Sequence, residues 1–184
     1  MSENNFITKT LISVLYVVER PTFNDERGFM KEVFRLNDLE KEIGYEFKIV
    51  QANHSRSMPK VIRALHAENW NKLVYPVNGK IFSAIVDIRP NSSTFGKFET
   101  FIFDDKAHKA LFISRGLANS VCVMGEEPVD YIYLVDAYYD GKDTRAVAWN
   151  DPDLKINWPI TNPIISERDK NNPTLRQLFP EKFR

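Results

Sequence analysis

The segment IRALHAENWNKLV, residues 62–74, carries basic and titratable side chains within a stretch that otherwise favours a β-strand. Histidine ionises near neutral pH and can act as a base, whereas arginine and lysine bind anions and stabilise negative charge. Arg63, His66 and Lys72 therefore either lie on a solvent-exposed face or line a pocket that binds an anion and moves a proton. A single histidine on a strand is more often structural, so the second interpretation needs a fold that turns these side chains inward.

Short strands dominate the rest of the chain. They are rich in β-branched and aromatic residues and are separated by Gly, Pro, Asn and Asp. Asn78-Gly79, between two apolar runs, predicts a β-hairpin. The strand-like segments outside residues 62–87 are 11–18, 24–34, 47–57, 95–105, 109–116, 129–139 and 144–152.

Helices are few in this pattern. Residues 36–44 favour a helix with Asn37 as its cap and Gly44 as its end, and a short helix can begin near Pro173. We expect one domain, residues 1–184, with an all-β fold: a double-stranded β-helix jelly roll (cupin-like) with a few short helices. Such a barrel holds a ligand among inward-facing side chains, which provides a location for the basic residues.

The composition argues against several classes of function. The 184 residues include 25 Lys and Arg and 25 Asp and Glu, so no overall charge favours nucleic acid or a membrane surface. Cys122 is the only cysteine, which excludes an intramolecular disulfide and suits a reducing compartment. No signal peptide and no apolar run of membrane-spanning length is evident, so we expect a cytoplasmic protein.

The histidines do not predict a metal site. His54, His66 and His108 are far apart, and no His-x-His pair places two imidazoles on one strand face. Asn119 stands where metal-binding jelly rolls carry a later histidine. One imidazole with scattered carboxylates is a poor transition-metal site, so we expect no bound metal and leave His54 and His108 as structural or exposed residues.

Longer motifs resemble those of one enzyme family. They are NDERGFMKEVF, VQANHSRS, IRALH with a downstream NKLV, VNGKIFSAIVDIRPNSSTFGKFE, DYIYLVDAYY, WNDPDLKINWP and ISERDKNNP, in that order. From about residue 11 to the end, the chain resembles the dTDP-4-dehydrorhamnose 3,5-epimerase family. The resemblance implies a metal-free jelly-roll homodimer that inverts the carbons flanking the 4-keto group of a nucleotide-linked 6-deoxysugar, for bacterial surface polysaccharides.

The resemblance also implies roles for individual residues. His66 matches the family's catalytic base, and Asp169 matches the carboxylate that pairs with it. Lys72 matches the lysine beside the keto oxygen, and Tyr133 matches the acid on the opposite face of the sugar. The residues at positions that contact the sugar or the nucleotide diphosphate are Arg27, Glu32, Gln51, Asn53, Arg63, Asn119, Tyr138 and Arg168.

This set of side chains is chemically coherent. A C–H bond beside a ketone breaks only if the developing enolate oxygen is stabilised, and one donor such as Lys72 contributes about 3 kcal/mol. A buried carboxylate such as Asp169 fixes the tautomer of the imidazole and stabilises its protonated form. Inversion needs a proton donor on the other face, which Tyr133 can provide, although tyrosine-rich strands are commonly only packed. No cofactor is needed, because the ketone is the electron sink.

Departures from the family pattern leave the substrate open. Ala64 and Ala67 replace Gly and Tyr of the common Arg-Gly-Leu-His-Tyr, and small side chains there could admit a larger sugar such as a heptose. The connection between His66 and Lys72 is short, and Asn119 replaces a histidine that usually touches the diphosphate. The nucleotide (dTDP, GDP or CDP) and the inverted carbon (C3, C5 or both) therefore stay open. A non-catalytic sugar-nucleotide-binding jelly roll is the alternative from another class.

The expected homodimer depends on the N-terminal residues. Dimers of the family exchange N-terminal strands, which would bring Arg27 and Glu32 into the partner's pocket. This inference is an analogy with the family. In the alternative interpretation, Arg27 forms a surface ion pair of little energetic value with the acidic residues that precede it.

Overall fold

Two antiparallel sheets form the fold in the computed structural model, which describes residues 6–104, 109–141 and 144–183. The first sheet contains, in spatial order, β1 (Ile7–Lys9), β2 (Leu15–Glu19), β10 (Lys109–Ile113), β7 (Lys72–Pro76), β12 (Val129–Val135) and β5 (Gln51–Ser57). The second contains β13 (Thr144–Ala146), β6 (Ile62–Glu68), β11 (Leu117–Met124), β8 (Lys80–Asp87) and β9 (Phe98–Asp104). A separate hairpin pairs β3 (Thr22–Asp25) with β4 (Gly28–Lys31).

The helical elements are short, as expected. They are α1 (Leu36–Ile43), α2 (Glu167–Lys170), α3 (Leu175–Leu178) and a final 3-10 turn, Pro180–Phe183. The predicted end of α1 at Gly44 is confirmed, because Gly44 adopts a left-handed conformation with φ of 84°. The predicted cap is wrong: Asn37 lies inside the helix, and Arg35 occupies the cap position without a side-chain hydrogen bond. No helix within the described ranges is long and apolar enough to cross a membrane.

Apolar side chains pack in three layers around the sheets. Between the sheets, residues of the first sheet such as Leu111 meet residues of the second such as Ile85. The segment containing α1 covers the outer face of the first sheet, where Phe47 packs edge-on against Phe112. The C-terminal segment covers the outer face of the second sheet. Successive side chains of a strand point to opposite faces of its sheet. Each sheet therefore presents one set of side chains to the other sheet and a second set to the segment that covers its outer face.

The hairpin predicted at Asn78-Gly79 is wrong. β7 pairs with β10 and β12, whereas β8 pairs with β11 and β9, so the turn crosses from one sheet to the other. The chain does make a tight turn here. Gly79 has a φ of 73°, and a Cβ at this position would lie 2.8 Å from a methyl group of Val129. The dipeptide therefore indicates a turn without indicating which strands pair.

Candidate active site

A cavity of about 350 Å³ lies between the two sheets. Alternate residues of five strands line it, because every second side chain of a strand points to the same face. The first sheet contributes Gln51, Asn53, Ser55, Lys72, Val74, Tyr131 and Tyr133. The second sheet contributes Arg63, His66, Glu68, Asn119 and Val121; the loops add Trp70 and Tyr139, and α2 adds Arg168.

The basic residues of the segment 62–74 thus face the interior. Arg63 and His66 are three residues apart, which would place them on opposite faces of a regular strand. The pairing of β6 with β11 shifts in register between these two residues, and both side chains reach the cavity. Ala64 and Leu65, which lie between them, are fully buried in the apolar layer under the C-terminal segment.

His66 forms a short hydrogen bond with a buried carboxylate. Its Nε2 lies 2.6 Å from Oδ1 of Asp169, whose side chain is 4% exposed. Asp169 belongs to α2, and its backbone N–H donates to Oγ of Ser166, which fixes the short helix. Burial raises the pKa of Asp169, but the hydrogen bond and the charge of His66 outweigh it and hold that pKa below its usual value. The ionised carboxylate leaves the second ring nitrogen of His66 available to remove a proton.

Lys72 is buried in the cavity wall and is held by two partners. Its Nζ donates to Oε2 of Glu68 at 2.7 Å and to Oδ1 of Asn119. Burial raises the pKa of Glu68, but the charge of Lys72 and the hydrogen bond from it lower that pKa below its usual value. Glu68 is not among the site residues that the sequence predicts. The signal was its position two residues after His66, which places both on one face of β6.

Tyr133 faces the cavity from β12, two residues after Tyr131 on the same face of the strand. Burial raises the pKa of Tyr133, and the negative charge of Glu68 adds to this effect. The hydroxyl therefore stays protonated at neutral pH and can donate a proton. Tyr131 and Tyr139 also line the cavity, whereas Tyr138, which the resemblance places in contact with the substrate, is exposed and is not among the lining residues.

Polar atoms of the cavity wall lack partners. Nδ2 of Asn53, Nε1 of Trp70 and Oη of Tyr131 are buried and accept or donate no hydrogen bond in the described part of the chain. Buried polar groups are normally paired, and all three belong to residues that line this one cavity. The cavity is therefore suited to a polar ligand that supplies the missing partners.

The family model described as dTDP-4-dehydrorhamnose 3,5-epimerase matches residues 9–177. The chain belongs to this family. The dTDP-4-dehydrorhamnose 3,5-epimerase of Shigella flexneri is 35% identical over 169 residues, which are 90% of this chain and 93% of the relative. A dTDP-4-dehydrorhamnose 3-epimerase of Streptomyces niveus is 31% identical, with 80% of this chain and 72% of the relative covered.

A solved structure confirms the fold of this family member. The dTDP-6-deoxy-D-glucose-3,5-epimerase of Legionella pneumophila Philadelphia 1, in complex with dTDP-4-keto-L-rhamnose, superposes with a TM-score of 0.87. The two chains are 31% identical, and the match covers 95% of each. The jelly-roll fold, the family resemblance and the assignment of the protein to the isomerases are thereby confirmed.

Some residues that the family pattern singled out lie outside the cavity. Arg27 is exposed and pairs with Asp25 at 2.5 Å, as in the surface ion pair that the sequence left open. Glu32 pairs with Arg35 at 2.7 Å and with Arg20 at 2.8 Å. Neither residue is among those that line the cavity.

The small residues of this family member do not enlarge the cavity. Ala64 and Ala67 pack on the opposite face of the second sheet, against the C-terminal segment, so the expectation that they admit a larger sugar is wrong. Trp70, in the short connection before Lys72, forms an aromatic wall with Tyr139, and their ring centroids are 6.1 Å apart.

Of the two other histidines, the structure describes only His54, which lies apart from this site. His54 is exposed and hydrogen-bonds Asp130 at 2.8 Å, which confirms the structural or exposed role expected for it. His108 lies outside the described residues. Within residues 6–104, 109–141 and 144–183, no group of three or more His, Cys, Asp or Glu side chains is placed to hold a metal ion.

Proposed function

We propose that this protein inverts C3 and C5 of a dTDP-linked 4-keto-6-deoxysugar through an enolate. The observation that carries the proposal is the convergence of His66, Lys72 and Tyr133 on one cavity, with Asp169 hydrogen-bonded to His66. A base, a cation and an acid around one cavity match the needs of proton exchange beside a ketone. The family to which the chain belongs supports the same reaction.

Each inversion has one proton removed and one delivered. His66 takes the proton from the carbon beside the ketone, and the electron pair of that C–H bond moves onto the carbonyl oxygen. Lys72 stabilises the resulting enolate by donating an N–H to this oxygen. Tyr133 then protonates the carbon from the opposite face, and the ketone re-forms. Exchange with water returns the proton to Tyr133 and removes the one from His66, while Asp169 keeps the imidazole oriented.

Arginines of the cavity are suited to the diphosphate of the nucleotide. Arg63 and Arg168 line the cavity and also a neighbouring one of about 340 Å³, which His66 and Asp169 border as well. Guanidinium groups bind phosphate oxygens through paired hydrogen bonds, so these two residues can hold the diphosphate while the sugar lies beside His66. We assign three further wall residues to contact with the bound substrate or with Lys72: Gln51, Asn53 and Asn119.

Inversion of C3 alone is the second candidate. The Streptomyces niveus 3-epimerase is 31% identical, close to the 35% of the Shigella flexneri 3,5-epimerase, so identity does not separate the two reactions. An NMR time course in deuterated water with dTDP-, GDP- and CDP-linked 4-keto-6-deoxysugars distinguishes them. Deuterium at C3 and C5 of the dTDP-sugar supports the proposal, whereas deuterium at one carbon identifies a mono-epimerase.

The variant His66→Asn tests the assignment of the base. Asparagine cannot remove the proton, so we expect deuterium incorporation to fall to the background rate while the affinity for dTDP is retained. His54→Asn is the matched control, because His54 lies outside the cavity, and it should exchange at the normal rate. Tight binding of the nucleotide with no exchange in the unchanged protein would instead favour a non-catalytic binding protein.

We further propose that the protein is a homodimer with exchanged N-terminal strands and that it acts in the cytoplasm. In the described residues, β3 and β4 pair with each other and with neither large sheet, and such a hairpin alone is only marginally stable. Phe23 and Met30 lie opposite each other on it and are 64% and 65% exposed. The single cysteine, Cys122, is buried and free, in keeping with a reducing compartment.

A further inference from the structure

Glu68, the acidic partner of Lys72 in an ion pair inside the cavity, has no part in the mechanism above. Glu68 ends β6 in the second sheet, and Lys72 begins β7 in the first sheet. Their side chains are 18% and 6% exposed, and Oε2 of Glu68 lies 2.7 Å from Nζ of Lys72. A buried ammonium is costly without an acidic partner, and Glu68 provides one from within the cavity wall.

The partners of Lys72 restrict the direction of its ammonium group. An ammonium has three N–H donors, of which Glu68 and Asn119 accept two. Asn119 is the direct neighbour of His66 in the pairing of β11 with β6. One partner therefore comes from β6, which carries the base, and the other from β11, which pairs with it, and one N–H remains for a ligand in the cavity.

We propose that Glu68 is a positioning residue of the active site: together with Asn119, it holds the ammonium of Lys72 so that the remaining N–H meets the keto oxygen of the sugar. This inference rests on the proposed function and adds a residue to it. Glu68 does not touch the reacting atoms. It acts through Lys72, because a rigid donor stabilises an enolate better than a mobile one.

The charge of Glu68 has a second effect, on the proton donor. Burial is the larger cause of the raised pKa of Tyr133, and Glu68 adds to it, whereas the charge of Arg63 opposes it. A negative charge near Tyr133 disfavours the tyrosinate that remains after proton donation, so the hydroxyl is restored more readily. The charged and titratable side chains around the cavity are Arg63, His66, Glu68, Lys72, Tyr131, Tyr133, Tyr139 and Arg168.

The first test compares the protein without substitutions and the variant Glu68→Gln, both free of substrate. Glutamine keeps the shape of the side chain and removes its charge. Proton signals of the Lys72 ammonium, observed with ¹⁵N-labelled lysine and assigned with Lys72→Arg, should be sharp in the unchanged protein and lost in Glu68→Gln. Tyr133, observed with ¹³C-labelled tyrosine and assigned with Tyr133→Phe, should ionise at lower pH in Glu68→Gln. Exposed Glu126 supplies the control, Glu126→Gln, which should change neither signal.

Kinetics provide the second test. Because Lys72 would lose its orientation, we expect kcat for deuterium incorporation to fall about 10²-fold in Glu68→Gln, with dTDP affinity unchanged. Glu68→Asp, which keeps the charge with a shorter reach, should recover the Tyr133 titration and part of kcat. Normal kcat in a folded Glu68→Gln variant, or an unchanged Lys72 signal, would overturn the inference. If the protein without substitutions exchanges no deuterium, the proposed function is overturned. The contact of Glu68 with Lys72 can then still be tested, because the NMR signals are recorded without substrate.

Discussion

The carboxylate of Asp169 meets the imidazole of His66 and, at 3.4 Å, the backbone N–H of Ala64. A group with these partners orients the base and stabilises the positive charge that forms when the base takes a proton. It has no contact with the cavity that contains the sugar site. We therefore expect Asp169 to act on the rate of proton transfer rather than on the binding of the nucleotide.

Replacement of this carboxylate should separate catalysis from binding. In Asp169→Asn the amide keeps the shape but cannot stabilise the imidazolium, so we expect kcat to fall on the order of 10²-fold to 10⁴-fold. The affinity for dTDP, measured by calorimetry, should change little. A variant with weakened dTDP binding and normal kcat would contradict the role assigned to Asp169.

Stability at low pH should depend on the same residue. Because the pKa of Asp169 is lowered in the folded protein, its contribution to stability is present above the unfolded pKa of about 3.9. It is lost as pH falls through the lower folded pKa. Thermal unfolding of the unchanged protein and of Asp169→Asn should therefore differ most above about pH 4 and converge at lower pH. A constant difference across the range would show that the ionised carboxylate contributes nothing.

Single residues were predictable from the sequence where a local motif fixed them. His66 and Lys72 share one short segment, and both face the cavity. Glu68 lies in the same segment but was missed, because its importance comes from its distance to Lys72 on a strand of the other sheet. The sequence does not reveal that Ala67 faces away from the cavity, because a substitution within a motif does not show which face of the strand it occupies.

At the scale of elements, the C-terminal segment has to hold α2 against β6. Asp151 is buried, and its carboxylate accepts hydrogen bonds from the backbone N–H of Leu175 at 2.6 Å and of Leu154 at 3.0 Å. Leu175 in turn packs in the apolar layer on the outer face of the second sheet. This carboxylate joins two parts of the segment that carries Asp169.

Loss of this carboxylate should destabilise the segment. In Asp151→Ala, buried backbone donors lose their acceptor, so we expect a loss of about 1–3 kcal/mol in the free energy of unfolding, measured with urea. Asp153→Ala is the matched control, because Asp153 forms an ion pair with Arg176 near the surface. Such exposed pairs contribute little to stability, so Asp153→Ala should unfold at nearly the same urea concentration as the unchanged protein. Equal losses in the two variants would contradict the anchoring role of Asp151.

The sequence predicts the secondary-structure elements better than it predicts which strands pair. The α3 helix near Pro173 was expected, and Thr174 caps it together with Gln177. Asn78-Gly79 was correctly identified as a turn, but strand pairing in a jelly roll depends on strands that are distant in sequence. β8 pairs with β11, and local residue preferences contain no information about that choice.

At the scale of the whole molecule, the hairpin of β3 and β4 determines the proposed assembly. If Phe23 and Met30 pack against a second protomer, the double variant Phe23→Ser, Met30→Ser should sediment as a monomer where the unchanged protein sediments as a dimer. Ile102→Ser is the control, since Ile102 is a similarly exposed apolar residue on β9. Dissociation caused by Ile102→Ser alone would place the interface on the second sheet instead.

The walls of the cavity come from both sheets, so a bound nucleotide sugar bridges the two halves of the barrel. The sheets cannot separate without releasing it, and its binding energy therefore opposes global unfolding. The lifetime of the protein then depends on the concentration of its ligand: where the sugar nucleotide is plentiful, the protein spends less time unfolded and accessible to proteases. A cell that stops making this metabolite would be expected to lose the enzyme sooner.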